Sequence, residues 1–446
     1  MNYDIAIIGA GPGGYTAAIR AAQLGKKVAI IERSEIGGTC LNNGCIPTKT
    51  LHASAKLFSR MKKSEKFGIN ARDVSMDISK VIDRKNSIVS QLRKGLEYLF
   101  KEYKIDLIRG DAAFMGDHQI TVNGQIVESP KIILASGSTI TENPPFKIDE
   151  KKVFSSNGIL ELRAIPKSMA VIGAGPMGIE LACIFNAMGS KVAIFEVMDR
   201  ILPQEDAEIA RSLHESLKRS GIEINCGQSL KDTDGFEVIL VSIGRKLNTD
   251  GFEKAGIKID NGKVAVNEKM ETSITGVYAV GDIVGRYMFA HTAAREGIVA
   301  AENACGLPAG RHGKKSKMDY AAVPRCIYSD PGVAAVGMSE EAAISKLGAG
   351  KIKIGRFPFR ASSKSLIEDE RDGFIKVIAD SKDKILGIHI VGGNATEIIG
   401  EAALAINKGM KVEDIIETIH AHPTVYESIQ EAAANVLKQA ISIINK

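Results

Sequence analysis

The chain is predicted to be an α/β protein with two doubly wound βαβ domains and a C-terminal α+β region. Three observations predict this. A strand–glycine loop–helix–strand pattern occurs twice. Two cysteines five apart follow the first copy. From residue 323 onward the sequence turns to mixed short strands and helices.

The elements follow in order. An apolar run over 4–8 enters Gly9, Gly11 and Gly14, then a helix-like stretch to Leu24, then a strand over 28–31 ending at Glu32. Residues 78–100 read as a long amphipathic helix, and 131–134 as a buried strand entering a small-residue turn, Ala135-Ser136-Gly137-Ser138. Asn143-Pro144-Pro145 marks a boundary. The second copy runs over 168–172, through Gly173, Gly175 and Gly178, along a helix to Met188, and through a strand over 192–195 to Glu196. A further strand over 276–280 ends at Gly281-Asp282. Beyond the basic connector over 311–317, strands are expected over 333–336, 351–357, 373–379 and 385–391. Helices are expected over 396–408, 412–419 and 426–444.

In both copies the acid lies 23 residues after the first glycine. This is the Rossmann-type dinucleotide fingerprint. The first glycine makes the turn, the second admits a pyrophosphate, and the third lets helix and strand pack closely. The helix N-terminus faces phosphate charge, and the acid suits a ribose hydroxyl.

Cys40 and Cys45 lie in Gly37-Gly38-Thr39-Cys40-Leu41-Asn42-Asn43-Gly44-Cys45-Ile46-Pro47-Thr48-Lys49. A disulfide needs Cα atoms within about 4.4–6.8 Å, whereas five residues of regular helix rise about 7.5 Å. The intervening backbone is therefore expected to be irregular, with Asn42, Asn43 and Gly44 as the tolerant residues. Residues 46–60 have helical composition and Pro47 suits a first turn, which puts Cys45 at a helix N-terminus. The helix dipole there favours its thiolate, leaving Cys40 as the exchanging sulfur. A dithiol needs a two-electron acceptor nearby, so the first fingerprint is assigned FAD and the second a nicotinamide. No arginine immediately follows Glu196, which favours NAD over NADP.

The length of 446 residues implies two to four domains. Hydrophobic content of 44% and mean hydropathy near zero read as soluble. No apolar run reaches the ~20 residues of a membrane helix, and no signal peptide is evident, so a cytoplasmic location is expected. Cys183, Cys226, Cys305 and Cys326 are expected to be scattered buried thiols. The net charge of +5 is mild, and the connector reads as solvated rather than as a nucleic-acid patch. No metal site is expected.

The segments GGTCLNNGCIPTK (37–49), GAGPMGIE (173–180), SIGRKLNT (242–249), YAVGD (278–282) and HAHPTVYE (420–427) resemble the dihydrolipoamide dehydrogenase branch of the flavoprotein disulfide reductases. The resemblance extends over residues 3–437. It implies a homodimer with an FAD domain (1–145), an inserted NAD domain (146–265), a return to the FAD domain (266–316) and a dimerisation domain (317–446). It implies an active site in which a histidine of one subunit reaches the disulfide of the other. Cys40 would exchange with substrate and Cys45 would lie against the flavin. Lys49 would sit near the flavin ring and pair with Glu180. Glu32 would hold the adenosine ribose of FAD. Arg33, Gly38, Thr39, Ala112, Ser136 and Gly137 would contribute to the same site. Asp282, Met288, Phe289, Ala290 and His291 would line the ribityl chain and ring. Glu196 and Gly244 would contact NAD. Spacing alone divides the base between His420 and His422. The His-Pro-Thr match selects His422, oriented by Glu427, and histidine is the natural proton acceptor near neutrality.

The implied reaction carries electrons from a dihydrolipoyl group through the cysteine pair to FAD and NAD. The implied partner is a lipoylated carrier of a 2-oxo acid dehydrogenase or related complex. Some residues depart from the pattern. Only 19 residues separate Gly221 from Val241, fewer than is usual, so a small NAD domain is expected. Asn43 and Ser136 replace a common valine and threonine. Arg295, Arg325 and Cys326 are expected to bear on carrier choice. The alternatives are a glutathione-type or other low-molecular-weight disulfide reductase, and a flavin-binding subunit with impaired NAD turnover.

Overall fold

The computed structural model describes residues 3–141, 146–306 and 316–445. The Asn143-Pro144-Pro145 boundary and most of the basic connector lie outside the described residues.

Elements are numbered along the chain. The first stretch holds β1 (Ile5–Ile8), α1 (Pro12–Gln23), β2 (Val28–Glu32), α2 (Gly38–Asn43), α3 (Cys45–Lys62) and α4 (Ile78–Glu102). It continues with β3 (Asp106–Arg109), β4 (Ala112–Gly116), β5 (Gln119–Val122), β6 (Gln125–Glu128), β7 (Ile132–Leu134) and β8 (Ser138–Ile140). Next come β9 (Val153–Phe154), β10 (Ser168–Ile172), α5 (Pro176–Met188), β11 (Lys191–Glu196), α6 (Ala207–Arg219), β12 (Glu223–Cys226) and β13 (Val238–Val241). After these lie β14 (Arg245–Leu247), β15 (Ile259–Asp260), β16 (Lys263–Val264), β17 (Val277–Ala279) and α7 (Ala290–Ala304). The last stretch holds β18 (Arg325–Ile327), β19 (Gly332–Gly337), α8 (Glu340–Leu347), β20 (Ile352–Pro358) and α9 (Ser363–Ile367). It ends with β21 (Phe374–Asp380), β22 (Ile385–Gly392), α10 (Ala395–Lys408), α11 (Val412–Ile416) and α12 (Glu427–Val436).

The chain divides into two compact units. The first comprises residues 1–51, 79–142 and 244–319. Its parallel sheet runs β17-β7-β1-β2-β3. Every residue of β1 is buried, as expected of a parallel strand covered on both faces. α1 packs on α7 at glycines: a Cβ on Gly297 would stand 2.3 Å from the Gly13 carbonyl oxygen. β14 pairs antiparallel with β8, which draws residues from 244 onward into this unit.

The second unit comprises residues 52–78, 143–243 and 320–446. It holds a parallel sheet, β12-β11-β10-β13-β9, and an antiparallel one, β18-β19-β22-β21-β20. β12 and β13 are joined by residues 227–237 with no strand between them. α10, α11 and α12 contribute Ile398, Ile399, Val412, Ile415 and Ile429 to the core over the antiparallel sheet. Asp206 caps α6 by accepting the N–H groups of Glu208 and Ile209. It also accepts both of its 3.0 Å bonds from the fully buried Lys376. Lys376 additionally meets Glu340 at 2.6 Å and Glu208 at 3.1 Å. Burial works to raise the Asp206 carboxyl, but the Glu340 amide and Lys376 outweigh it and hold it low.

Three sequence expectations are corrected. α11 ends at Ile416, not at 419, because Gln430 donates to the carbonyls of Ile416 and Thr418 and draws the chain off the helix. α12 ends at Val436, not at 444: Lys438 takes φ 60°, and Glu431 accepts the amides of Ile441 and Ser442. Of the four scattered cysteines only Cys183 is buried; Cys226, Cys305 and Cys326 are half-buried. No helix among the described residues is long and apolar enough to cross a membrane.

Lys376→Met strands three carboxylates around an apolar chain and is expected to cost about 3–5 kcal/mol, read as a lower urea midpoint. Buried His389 donates Nε2–H to the Met338 carbonyl, and burial lowers its pKa to about 4. A depressed histidine contributes full stability above its unfolded pKa of about 6.5 and loses it as pH falls toward the folded value. Wild type should therefore lose about 3 kcal/mol relative to His389→Gln between pH 6.5 and 4, measured by urea unfolding across that range.

Candidate active site

The two glycine loops are built alike. Gly9 and Gly173 adopt φ 97° and 99°, and a Cβ on either would lie 2.3 or 2.4 Å from the carbonyl oxygen of Ala135 or Ser242. The third glycines touch the first: a Cβ on Gly14 would meet the Gly9 oxygen at 1.9 Å, and one on Gly178 the Gly173 oxygen at 2.1 Å. The middle glycines face space. Gly175 has nothing within 4 Å of a Cβ, and Gly11 has only the Gly38 Cα at 3.8 Å. Each helix opens at a proline directly after the middle glycine, so its first amides point out toward an anion. This cradle, open only at the middle glycine, fits a dinucleotide pyrophosphate.

The acids share a second task. Glu32 accepts the amides of Ala10 at 2.8 Å and Ser34 at 2.9 Å. Glu196 accepts those of Ala174 at 2.7 Å and Met198 at 2.9 Å. Each carboxylate thus ties its glycine turn to the end of the neighbouring strand. Val197 and Met198 beside Glu196 are exposed.

Cys40 lies in α2 and Cys45 opens α3. The break between them falls at Gly44 alone, with φ −141° and ψ −110°. Asn42 and Asn43 remain helical, so the irregular stretch is shorter than expected. A Cβ at Gly44 would press to 2.9 Å from the Thr39 oxygen. Thr48 returns its amide and hydroxyl to the Gly44 carbonyl at 3.0 and 2.7 Å, closing the first turn of α3. Both cysteines are thiols. The hydrogen bond with Cys45, then burial, hold the Cys40 thiol far above its ordinary range. Asn42 braces α2 by donating to the carbonyls of Ile36 and Gly38 at 3.0 Å, and it accepts from Arg93 of α4 at 2.8 Å.

Sequence reasoning missed two neighbours. Tyr15 lies close enough to Cys40 and Cys45 that, after burial, their charges raise its phenol; its place one residue past Gly14 was the available signal. Arg245, next to Gly244, donates to the hydroxyl and carbonyl of Ser138 at 2.7 Å and to Thr39 at 3.3 Å. Ser138 in turn donates to Asp282 at 2.5 Å. Ser136 and Asn248 exchange two bonds of 2.7 and 2.8 Å, fixing the turn at Gly137, where φ is 69°. Phe289 stacks between Tyr287 and His291 at 6.0 and 5.3 Å ahead of Ala290, while Met288 is exposed. Ala112 begins β4, and Arg33 lies 3.9 Å from Asp111 on the surface.

In the second unit, buried Glu180 accepts the Tyr328 amide at 3.0 Å. His422 Nδ1 bonds Glu427 at 2.8 Å, and the other Glu427 oxygen accepts the Thr424 amide at 2.8 Å. Burial works to raise the Glu427 carboxyl, but the Thr424 amide and His422 outweigh it and hold it low. The expectation for Arg325 and Cys326 is corrected. Arg325 is a buried partner of Glu205 at 2.9 Å, and Cys326 packs on the core of the antiparallel sheet, so both serve the interior. Arg295 is exposed on α7.

Residues 3–297 match the model of the pyridine nucleotide-disulphide oxidoreductases, and residues 323–433 match that of their dimerisation domain. The chain belongs to the pyridine nucleotide-disulphide oxidoreductase family. Dihydrolipoyl dehydrogenase of Thermus scotoductus is 40% identical over 470 aligned positions, covering 100% of both chains. A dihydrolipoyl dehydrogenase of Bacillus subtilis is 38% identical over 469, covering 97% of each. Among solved structures, the HOCl-induced flavoprotein disulfide reductase RclA of Escherichia coli superposes with TM-score 0.85 at 28% identity, covering 97% of this chain and 99% of that one. LpdA of Mycobacterium tuberculosis does so with TM-score 0.88 at 25% identity, over the same shares. The chain is accordingly a flavoprotein disulfide oxidoreductase, of a family that uses FAD and NAD.

Gly38→Ala tests the cradle of the first loop. Gly38 sits at φ 60°, and its Cβ would lie 2.6 Å from the Gly11 Cα. The variant should purify with far less flavin absorbance near 450 nm than wild type; full FAD content would refute this reading of Gly11 and Gly38.

Proposed function

We propose that the chain is a dihydrolipoyl dehydrogenase. The observation that carries the reading is the hydrogen-bonded Cys40–Cys45 pair at the break between two helices. His422 takes the proton of one substrate thiol, and Glu427 supports the resulting imidazolium. The substrate thiolate attacks Cys40 Sγ, the Cys40–Cys45 bond breaks, and Cys45 leaves as thiolate. The second substrate thiol then attacks the mixed disulfide, expelling Cys40 and closing the cyclic product. The substrate dithiol has lost two electrons and two protons, and the cysteine pair has gained the electrons. FAD, when bound, accepts that electron pair, and NAD⁺ accepts it in turn as hydride.

The residues assigned to the cofactors follow the resemblance. Gly9, Gly11, Gly14, Glu32, Arg33, Gly38, Thr39, Lys49, Ala112, Ser136, Gly137, Asp282, Met288, Ala290 and His291 serve FAD. Gly173, Gly175, Gly178, Glu196 and Gly244 serve NAD. Lys49 and Glu180 form a pair that fixes the lysine at the flavin ring. The glycine geometry supports both dinucleotide assignments. A negative Glu196 favours a ribose hydroxyl over a 2′-phosphate. The functional division is an FAD domain (1–145 and 266–316), an NAD domain (146–265) and a dimerisation domain (317–446). In a homodimer, His422 of one subunit serves the cysteines of the other. The partner is a lipoylated carrier protein, and six unpaired thiols suit a reducing cytoplasm. The strand-free link between β12 and β13 supports a small NAD domain.

The purified FAD-loaded protein should reduce NAD⁺ with free dihydrolipoamide, with NADP⁺ a poor substitute. Cys45→Ser should abolish this while keeping FAD. His422→Gln should lower kcat by about 10²–10⁴. Faster NADPH-driven reduction of glutathione disulfide would sink the reading. Bound FAD with a reducible cysteine pair and no pyridine nucleotide turnover would favour a flavin-binding subunit.

A further inference from the structure

His420 and His422 are two residues apart but differ in setting. The His422 side chain is 70% exposed. That of His420 is 5% exposed, with Nε2 2.9 Å from Glu401 Oε1 and Nδ1 2.9 Å from the Thr418 carbonyl oxygen. Both of these neighbours only accept. A neutral imidazole donates from one nitrogen alone, so only the imidazolium satisfies both contacts. The same Thr418 carbonyl receives Gln430 of α12 at 3.1 Å, and Gln430 also holds the Ile416 carbonyl at 2.8 Å. His420 therefore pins the segment before His422 to α10, while Gln430 pins it to α12. The charged groups around it are Glu401 from α10, Glu427 from α12 and His422 on its own segment.

We propose that His420 is a positioning residue, a buried imidazolium clamped by Glu401 and Thr418 that fixes His422 and keeps it neutral. The inference rests on the reading of His422 as the base. A fixed cation near the His422–Glu427 pair disfavours a second positive charge on His422. It thereby keeps the base unprotonated at lower pH than His422 would manage alone. The clamp also gives His420 a role distinct from proton transfer, since neither ring nitrogen is left to face a substrate.

The test is the pH dependence of kcat/KM for dihydrolipoamide in the FAD-loaded enzyme, for wild type, His420→Gln, Glu401→Gln and His422→Gln. Both His420→Gln and Glu401→Gln should move the acidic limb upward by about 0.5–1 pH unit, with activity recovering at high pH. A uniform fall in kcat with the limb in place would show a merely structural role and overturn the proposal. The titration of His422 is read separately, from the pH dependence of its carbethoxylation at 240 nm. Its signal is assigned as the one missing in His422→Gln. An upward shift in His420→Gln upholds the proposal even if His422→Gln keeps full turnover, in which case only the base reading fails. No shift overturns it whatever the turnover.

Discussion

Two thiols five residues apart have to meet, and a continuous helix would hold them apart. The site depends on how that conflict is resolved. One residue, Gly44, ends α2 and allows α3 to begin at Cys45. Any side chain there would press on the Thr39 carbonyl. The flanking helices keep both sulfurs on rigid supports, so the break concentrates all the irregularity at one peptide. The braces then make sense. Asn42 closes the entrance of α2 through the Ile36 and Gly38 carbonyls, and Arg93 holds Asn42 from α4. Loosening them would lower the effective concentration of one thiol at the other, which is what sets how readily the pair forms a disulfide.

The paired glycine loops show how one local solution serves twice. In each, a left-handed glycine turns the chain, and a third glycine lies against the first. The acid at the end of the second strand accepts an amide from the turn and another from its own strand end. The acid is thus structural before any ribose arrives. It pre-orients the turn, and the same oxygens offer further lone pairs to a sugar hydroxyl.

The second unit uses charge where the first uses glycine. Lys376 gathers Asp206, Glu208 and Glu340, joining the cap of α6 to α8 and the antiparallel sheet. Arg325 and Glu205 add a neighbouring buried pair. Such pairs contribute little net stability compared with apolar packing, yet breaking one leaves a stranded charge. They fix one arrangement of the elements rather than strengthening many.

Much of this was legible in the sequence because it is local. The glycine spacings, the acid 23 residues on, the cysteine pair and the strand runs all lie within one βαβ unit or one turn, where sterics and hydrogen bonding leave little choice. The boundaries of α11 and α12 were not legible, because Gln430 and Glu431 end them from elsewhere in the chain. Nor was the placement of Arg325. It reads as an odd charge near an apolar stretch until Glu205, distant in sequence, is brought beside it. The two histidines divide the same way. Their spacing is equal in the sequence, but Glu401 buries one of them and leaves the other exposed beside Glu427. What depends on backbone conformation within a few residues the sequence determined by itself. What depends on a partner from another element only the tertiary structure decided, because a side chain's burial and charge belong to the pair and not to the residue.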